Sequence, residues 1–401
     1  MLRELPPTAG LPLRWYDLLP RGDSSTLDAA LAEFLGVPAV QIECSGTAGL
    51  LIALETLKRL SSRKTVVVPG YTCPLVALAV ARAGLRICPC DVRSDSFDFD
   101  RQALEACCDR DTLCIVPTHI GGLVADLDPV LEIGRQVGAY VIEDAAQALG
   151  ATRQGQPAGT IGDIGIFSLT RGKGLTTYEG GVVVARNPDI QEELSKTSQE
   201  LAPFKPGLEL LRTVQLIGYW LAYNPLGLQL VYGMPLRYWL DKGNPVRAVG
   251  DEFSPDIPLH KVGVGRKTIA ASAFNRLAPA IADNATRGRN RAAQLSALPG
   301  LTVLQEQPET SGTWPFLIVL FDSPASRQRA LDRLWRSGTG VSRLFIHALT
   351  DYDYLEAIVP RVEIPNARAF ADKSMTITNS PWLSDNDFAG IVDTIASVIG
   401  S

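Results

Sequence analysis

Three short stretches of the 401-residue chain carry residue types and spacings that could do chemistry. In the first, Ser45-Gly46-Thr47 follows a short apolar run and opens an apolar helical pattern. A helix N-terminus presents unpaired N–H groups and about half a positive charge, so phosphate can sit there. Gly46 would let the backbone approach closely; a plain N-cap at Ser45 is the alternative. In the second, VIEDAAQALGA, Asp144 ends an apolar strand, and strand ends of parallel sheets are where ligands bind. A carboxylate there can face a protonated ring nitrogen, with Gln147 on the same face of the following turn, or it can serve only as an N-cap. In the third, GDIGIFSLTRGKGLTTYEGGVVVA, a strand ends at Ser168 and a glycine-bracketed turn carries Lys173 ahead of Thr176-Thr177. Lys173 is either an ordinary loop lysine or a Schiff-base nucleophile, which must deprotonate easily. Arg171, two residues earlier, would push that pKa down or meet a phosphate.

The elements that must position these residues follow from periodicity. From about 26 to 186 helical and strand patterns alternate: helices over 26–36, 46–60 and 73–84, and apolar runs at 39–44, 65–69 and 85–92, continuing through TLCIVP, DPVLEIGRQVG and AYVIEDAA. The strand runs are continuously apolar rather than alternating, as in sheets covered by helices on both faces. The fold class expected is α/β with a mostly parallel sheet. Length favours two lobes: an N-terminal arm over 1–25, a large α/β domain over 26–255 and a smaller C-terminal α+β domain over 256–401. The latter reads as helices from about 267, a strand at WPFLIVLF, a helix at SRQRALDRLWRSG and a last helix at DNDFAGIVDTIASVIG.

Composition removes several function classes. The formal net charge is -5, with no basic footprint for nucleic acid. All seven cysteines lie between Cys44 and Cys114. Cys88-Pro-Cys90 and Cys107-Cys108 invite a metal reading, but no second pair recurs at zinc-finger spacing, so reduced, buried thiols and no metal are expected. The first residues, with early prolines and mixed charges, do not read as a signal peptide, and a cytoplasmic protein is expected. Between Arg212 and Arg237 no residue is charged, inside an apolar insertion over about 206–240. Asn224-Pro225 near its middle argues against a membrane span. Helices packed on the body or on a second subunit are the main reading, an in-plane membrane contact the other. The sequon at Asn284 is expected to be chance.

SGTAGLLIAL, VVVPGYT, PTHIGGLVADLDPV, VIEDAAQALGA and GDIGIFSLTRGKGLTTYEGG, in that order and spacing, resemble the DegT/DnrJ/StrS-type aminotransferases. These are fold-type-I pyridoxal phosphate (PLP) enzymes acting mostly on nucleotide-linked keto-sugars. The likeness runs from about 40 to 186 and returns at PNARAFADKSMTITNSPWLSDNDFAGIVDTI. It implies that Lys173 forms the internal aldimine and shuttles the proton, that Asp144 pairs with the pyridine nitrogen and Gln147 with the ring hydroxyl, and that Gly46, Thr47 and Ser168 hold the phosphate. It also implies a homodimer, glutamate or glutamine as amino donor, and a keto-sugar acceptor. The retained Lys173 favours transamination over the family's dehydratase branch.

The chain departs from the family pattern in two places. Where the family sets an aromatic residue on the ring, this chain has Thr72-Cys73, and Tyr71 points the other way in extended chain. In HKVGVGRKTIAASA the family's Asn is missing, leaving Arg266 or Lys267 to supply charge to the phosphate. His119, Arg343 and His347 are further candidates to line the site. The other readings are different PLP chemistry, a hydrophobic or membrane-presented acceptor, and a non-catalytic member of the fold.

Overall fold

The computed structural model describes residues 3–19 and 26–400. Seven strands form the large sheet: β1 (Gln41–Glu43), β2 (Thr65–Pro69), β3 (Arg86–Cys90), β4 (Thr112–Ile115), β5 (Tyr140–Asp144) and, beyond the hairpin β6 (Thr152–Arg153) and β7 (Gln156–Pro157), β8 (Ile164–Ser168) and β9 (Gly181–Ala185). Their order is β1-β9-β8-β5-β4-β2-β3. β9 alone runs against the rest, pairing antiparallel with both β1 and β8. β4, β8 and β9 are buried at every position, which is why their sequences read as unbroken apolar runs.

The helices begin and stop where the side chains dictate. Ser45 Oγ accepts from the N–H of Ala48 at 3.0 Å and caps Gly46–Leu60, whose last turn carries Lys58 and Arg59 against the carbonyl end of the dipole. Gly181 is required beside that cap: a Cβ there would lie 2.3 Å from the carbonyl group of Ser45. β9 can therefore approach the cap only with glycine at that position.

After Ala202 the pattern changes. The uncharged region folds as Pro206–Ala222, a short helix Pro225–Leu228 capped by Asn224, a π-helical turn Gln229–Gly233 and Met234–Asp241. Among the described residues no helix is long and apolar enough to cross a membrane. Leu216, Tyr223, Leu228 and Leu236 face inward. The opposite faces are not packed on the body: Leu210, Val214, Ile217 and Leu221 on one helix, and Leu226, Leu230, Met234 and Tyr238 beyond it, are exposed at helical spacing.

The C-terminal part is richer in strand than the sequence suggested. β10 (Leu301–Val303), β12 (Phe316–Phe321), β13 (Val341–Ser342) and β14 (Ser374–Thr378) make an antiparallel sheet in the order β10-β12-β14-β13, while β11 (Thr310–Ser311) joins the β6–β7 hairpin. β14 escapes a periodicity reading because SMTIT follows the helix Pro365–Lys373 without a break signal. The segment 262–277 places Val262, Ala270, Ala273 and Leu277 in one core with Leu27, Phe167 and Val182, on the large sheet.

Candidate active site

At the C-terminal ends of β5 and β8 lies a cavity of about 490 Å³. Gly46, Thr47, Cys73, His119, Asp144, Gln147, Ser168, Arg171 and Lys173 all line it. Tyr71, Arg343 and His347 do not, nor do Arg266 and Lys267.

Asp144 is the last residue of β5 and is 5% exposed. Its Oδ1 accepts from the N–H of Ala146 at 3.1 Å, so the cap-like bond is real, and among the described residues no other hydrogen bond reaches the carboxylate. Burial pushes its pKa up, opposed by that N–H, by Lys173 and by His119. Gln147 is oriented by Oε1, which accepts from the N–H of Gly121 at 2.8 Å, leaving its NH₂ to donate.

Lys173 sits in the turn after β8, in a loop held from outside. Thr8 Oγ1 donates to the carbonyl of Gly172 at 2.6 Å, the N–H of Leu11 to the carbonyl of Lys173 at 3.3 Å, and the N–H of Gly172 to Tyr219 Oη at 3.4 Å. Among the described residues the Lys173 ammonium has no hydrogen-bond or ion-pair partner. Its residual exposure is to the cavity it lines, and burial among protein atoms draws its pKa below the ordinary lysine value, against the pull of Cys73 and Asp144. Ser168 Oγ shares a hydrogen bond with Thr170 Oγ1 at 2.9 Å beside the N-terminus of Gly46–Leu60.

The remaining candidates separate. His119 is fully buried: the N–H of Ala125 donates to Nδ1 at 2.9 Å, so the proton is on Nε2, which donates to Glu143 Oε2 at 2.9 Å. Both ring nitrogens are thereby occupied, and the imidazole braces the floor. Cys73 faces the cavity as a neutral thiol, pushed up to about 12 by burial. Tyr71 lies behind the cavity, its OH exchanging hydrogen bonds with the backbone of Phe345 at 3.3 Å. Arg343 is buried with Nη2 on the carbonyls of Ile346 (2.7 Å) and Ala371 (2.6 Å). His347 packs edge-on to Tyr352 and does not line the cavity. Phe345, between Arg343 and His347, does line it.

Neither cation offered in place of the missing Asn is free. Arg266 is fully buried, paired with Glu209 (2.9 and 2.5 Å) and donating to the carbonyls of Thr177 and Glu179, so it braces the chain that follows Lys173. Lys267 pairs with Asp28 at 2.8 Å. Sequence reasoning also missed a whole wall, Phe253, Asp256, Ile257 and Pro258. These lie in a proline-rich connector without periodicity, so nothing in the pattern marked them. Among the described residues no cluster suited to a metal ion is present, the cysteines included.

The donor set fits pyridoxal phosphate. An unpartnered primary amine, a carboxylate with one oxygen unbonded, an amide held with its NH₂ free, and a hydroxyl beside a helix N-terminus surround one cavity. Comparison with known proteins points the same way. The model of the DegT/DnrJ/EryC1/StrS aminotransferase family matches residues 17–200. The chain is 35% identical over 197 residues to L-glutamine:2-deoxy-scyllo-inosose aminotransferase of Streptomyces fradiae, which covers 47% of this chain and 46% of the relative. It is 34% identical over 167 residues to GDP-perosamine synthase of Caulobacter vibrioides, covering 42% and 45%. The match thus spans about half the length of these relatives. Over 99% of the chain the fold is similar to that of Helicobacter pylori PseC, an aminotransferase involved in the biosynthesis of pseudoaminic acid, with a TM-score of 0.77, 14% identity and all of that chain covered. Residues 17–200 of the chain are thus similar to the DegT/DnrJ/EryC1/StrS aminotransferases, and the fold of the chain is similar to that of an aminotransferase.

Proposed function

We propose that the protein is a PLP-dependent aminotransferase that moves an amino group from glutamate or glutamine to a keto-sugar, the sugar being nucleotide-linked. The observation that carries this reading is the Lys173 amine, half-buried and without a partner among the described residues, sharing a cavity with Asp144. Bound there, the cofactor supplies an electron sink that works while its ring nitrogen is cationic. Asp144 would hold that nitrogen through the oxygen left free by the Ala146 N–H. Gln147 would donate its NH₂ to the ring oxygen. The N–H groups at the start of Gly46–Leu60, with Ser168 Oγ, would bind the phosphate, whose charge the helix dipole favours. Lys173 Nζ would act as base and then acid, taking a proton from the substrate carbon and giving it back. A general acid–base step of this kind is worth about 10²–10⁴ in rate. Burial lowers the pKa of that amine and so favours its neutral form relative to an exposed lysine.

The chain is also read as half of a homodimer, since fold-type-I sites are completed across a subunit boundary. The purified protein should be yellow, and glutamate should bleach that colour to the pyridoxamine form. A colourless protein that takes up no PLP would leave a non-catalytic member of the fold. Colour without response to any amino donor would mean other PLP chemistry.

One observation favours a second reading of the acceptor. The helices of 206–241 expose Leu210, Val214, Ile217 and Leu221 on the side away from the contact of Tyr219 with the Lys173 loop. An acceptor presented at a membrane surface would meet such a face. Co-sedimentation with phosphatidylcholine–phosphatidylglycerol vesicles, wild type against Ile217→Lys, decides it, and equal recovery in the supernatant removes that reading.

A further inference from the structure

The turn that carries Lys173 has little stiffness of its own. From Leu169 to Gly180 no residue is in helix or strand, Gly172 and Gly174 flank the lysine, and Gly172 sits at a φ of +75°, in the left-handed region. Every backbone polar group of Gly172 and Lys173 is nevertheless bonded. The Gly172 carbonyl accepts from Thr8 Oγ1 at 2.6 Å, and the Gly172 N–H donates to Tyr219 Oη at 3.4 Å. The Lys173 N–H donates to the carbonyl of Thr170 and the Lys173 carbonyl accepts from the N–H of Leu11, both at 3.3 Å. The amine of that lysine, in contrast, has no partner among the described residues.

Both side chains that grip Gly172 are themselves fixed from elsewhere. The N-terminal arm is tied down on either side of Thr8. Glu4, 2% exposed, pairs with Arg237 at 2.6 Å, the N–H of Ala9 donates to the carbonyl of Pro315 at 2.7 Å, and buried Asp17 accepts from Ser272 Oγ at 3.1 Å. Tyr219 stacks on Tyr223 with ring centres 4.7 Å apart, and Tyr223 packs against Trp382 at 5.4 Å. Arm, turn and helix meet at Gly10, where a Cβ would lie 2.8 Å from the carbonyl carbon of Gly172 and 2.9 Å from Tyr223 Oη.

Backbone groups away from water need partners wherever they lie, so the bonds by themselves describe a brace. Their place gives them a further consequence. A group that moves a proton has to be held within about 0.5 Å of its productive position, and a glycine-flanked turn cannot supply that precision alone. We propose that Thr8 and Tyr219 are positioning residues for Lys173: they clamp Gly172 by its carbonyl and its N–H and so fix where the lysine side chain starts and which way its amine enters the cavity. Neither residue lines that cavity. This rests on the transamination reading and extends it to two residues that touch neither cofactor nor substrate.

Thr8→Val keeps the shape of the side chain and removes its donor, whereas Thr8→Ser keeps the donor. In the cofactor-free protein, hydrogen exchange of a peptide covering 169–176 should speed up about tenfold in Thr8→Val, as loss of one hydrogen bond allows, and return to the wild-type rate in Thr8→Ser. With PLP bound and glutamate added in single turnover, Thr8→Val should lower the saturating rate about tenfold to a hundredfold. Half-saturation by glutamate should stay unchanged, and the visible circular dichroism of the cofactor should alter. Tyr219→Phe should act in the same direction more weakly, and Thr8→Ser should recover rate and dichroism together. Faster exchange with rate and dichroism unchanged would make Thr8 a brace and overturn the proposal. So would unchanged exchange, or a rate loss that Thr8→Ser does not recover. A wild type that takes up no PLP would overturn transamination itself, whereas a yellow wild type matched by an equally active Thr8→Val overturns the clamp alone.

Discussion

Two lysine–carboxylate couples sit at strand ends of the same sheet, and they are built in opposite ways. At β1, Glu43 is fully buried and Lys261 reaches it at 3.4 Å, with Ser198 Oγ bonded to both. At β5 and β8, Asp144 and Lys173 are brought to one cavity, but among the described residues Lys173 closes no ion pair and Asp144 keeps an oxygen unbonded. The first couple gives its lysine two partners and closes the connector onto the sheet, although Glu43 Oε2 is left without one. The second leaves its chemistry unmet, which is what a site awaiting a ligand requires. Burial sets the direction of the shifts in both places, raising Glu43 and Asp144 and lowering Lys173, so a perturbed pKa alone does not separate a brace from a site; the partners of the lysine do, two at Lys261 and, among the described residues, none at Lys173.

Breaking each couple should therefore give different losses. Lys173→Arg should remove the yellow colour and lower transamination by about 10²–10⁴-fold or more, measured with glutamate in single turnover, while leaving the fold intact by circular dichroism. Lys261→Met should do the reverse. It strands Glu43 in the interior and should cost about 3 kcal/mol in urea unfolding, with the colour retained. Should Lys261→Met lose colour at unchanged stability, the distinction between brace and site fails.

A third buried carboxylate sharpens the comparison through pH. Burial raises Asp251 from 3.8 to about 6, against hydrogen bonds from Tyr352 and the N–H of Ile346. Its folded pKa lies above the unfolded one, so between about pH 4 and 6 the folded chain holds more protons. Raising the pH through that window should lower stability by about 2–3 kcal/mol, and Asp251→Asn should flatten the slope in denaturant titrations. The smallest effect concerns the site itself. A charged amine without a partner is a burden to the cofactor-free chain, so Lys173→Met should raise its stability by about 1 kcal/mol, read as Tm.

How much of this was legible in the sequence follows from where each residue sits. Ser45-Gly46-Thr47, Asp144, Gln147, Ser168 and Lys173 stand at strand-to-helix or strand-to-turn junctions, and the periodicity of the flanking runs fixes those junctions. The apolar character of 213–236 was equally plain, but not that helical spacing would turn half of it outward. The connector carried no such syntax. Phe253 and Asp256 reach the cavity because Asp251 and Lys261 pin distant segments, Tyr352 and Glu43, which no local pattern joins. Arg266 was misjudged for the same reason, since Glu209, its counter-charge, lies 57 residues away. Cys73 lines the cavity as a neutral thiol, so that position offers it no aromatic ring.

The central claim is that the amine at position 173 carries the cofactor. Borohydride reduction of the purified protein followed by peptide mass mapping tests it directly. The account predicts a single pyridoxyl-modified peptide, bearing its adduct on Lys173, and no modification of Lys261 or Lys267. An unmodified Lys173 in a protein that binds PLP, or an adduct on another lysine, would contradict it.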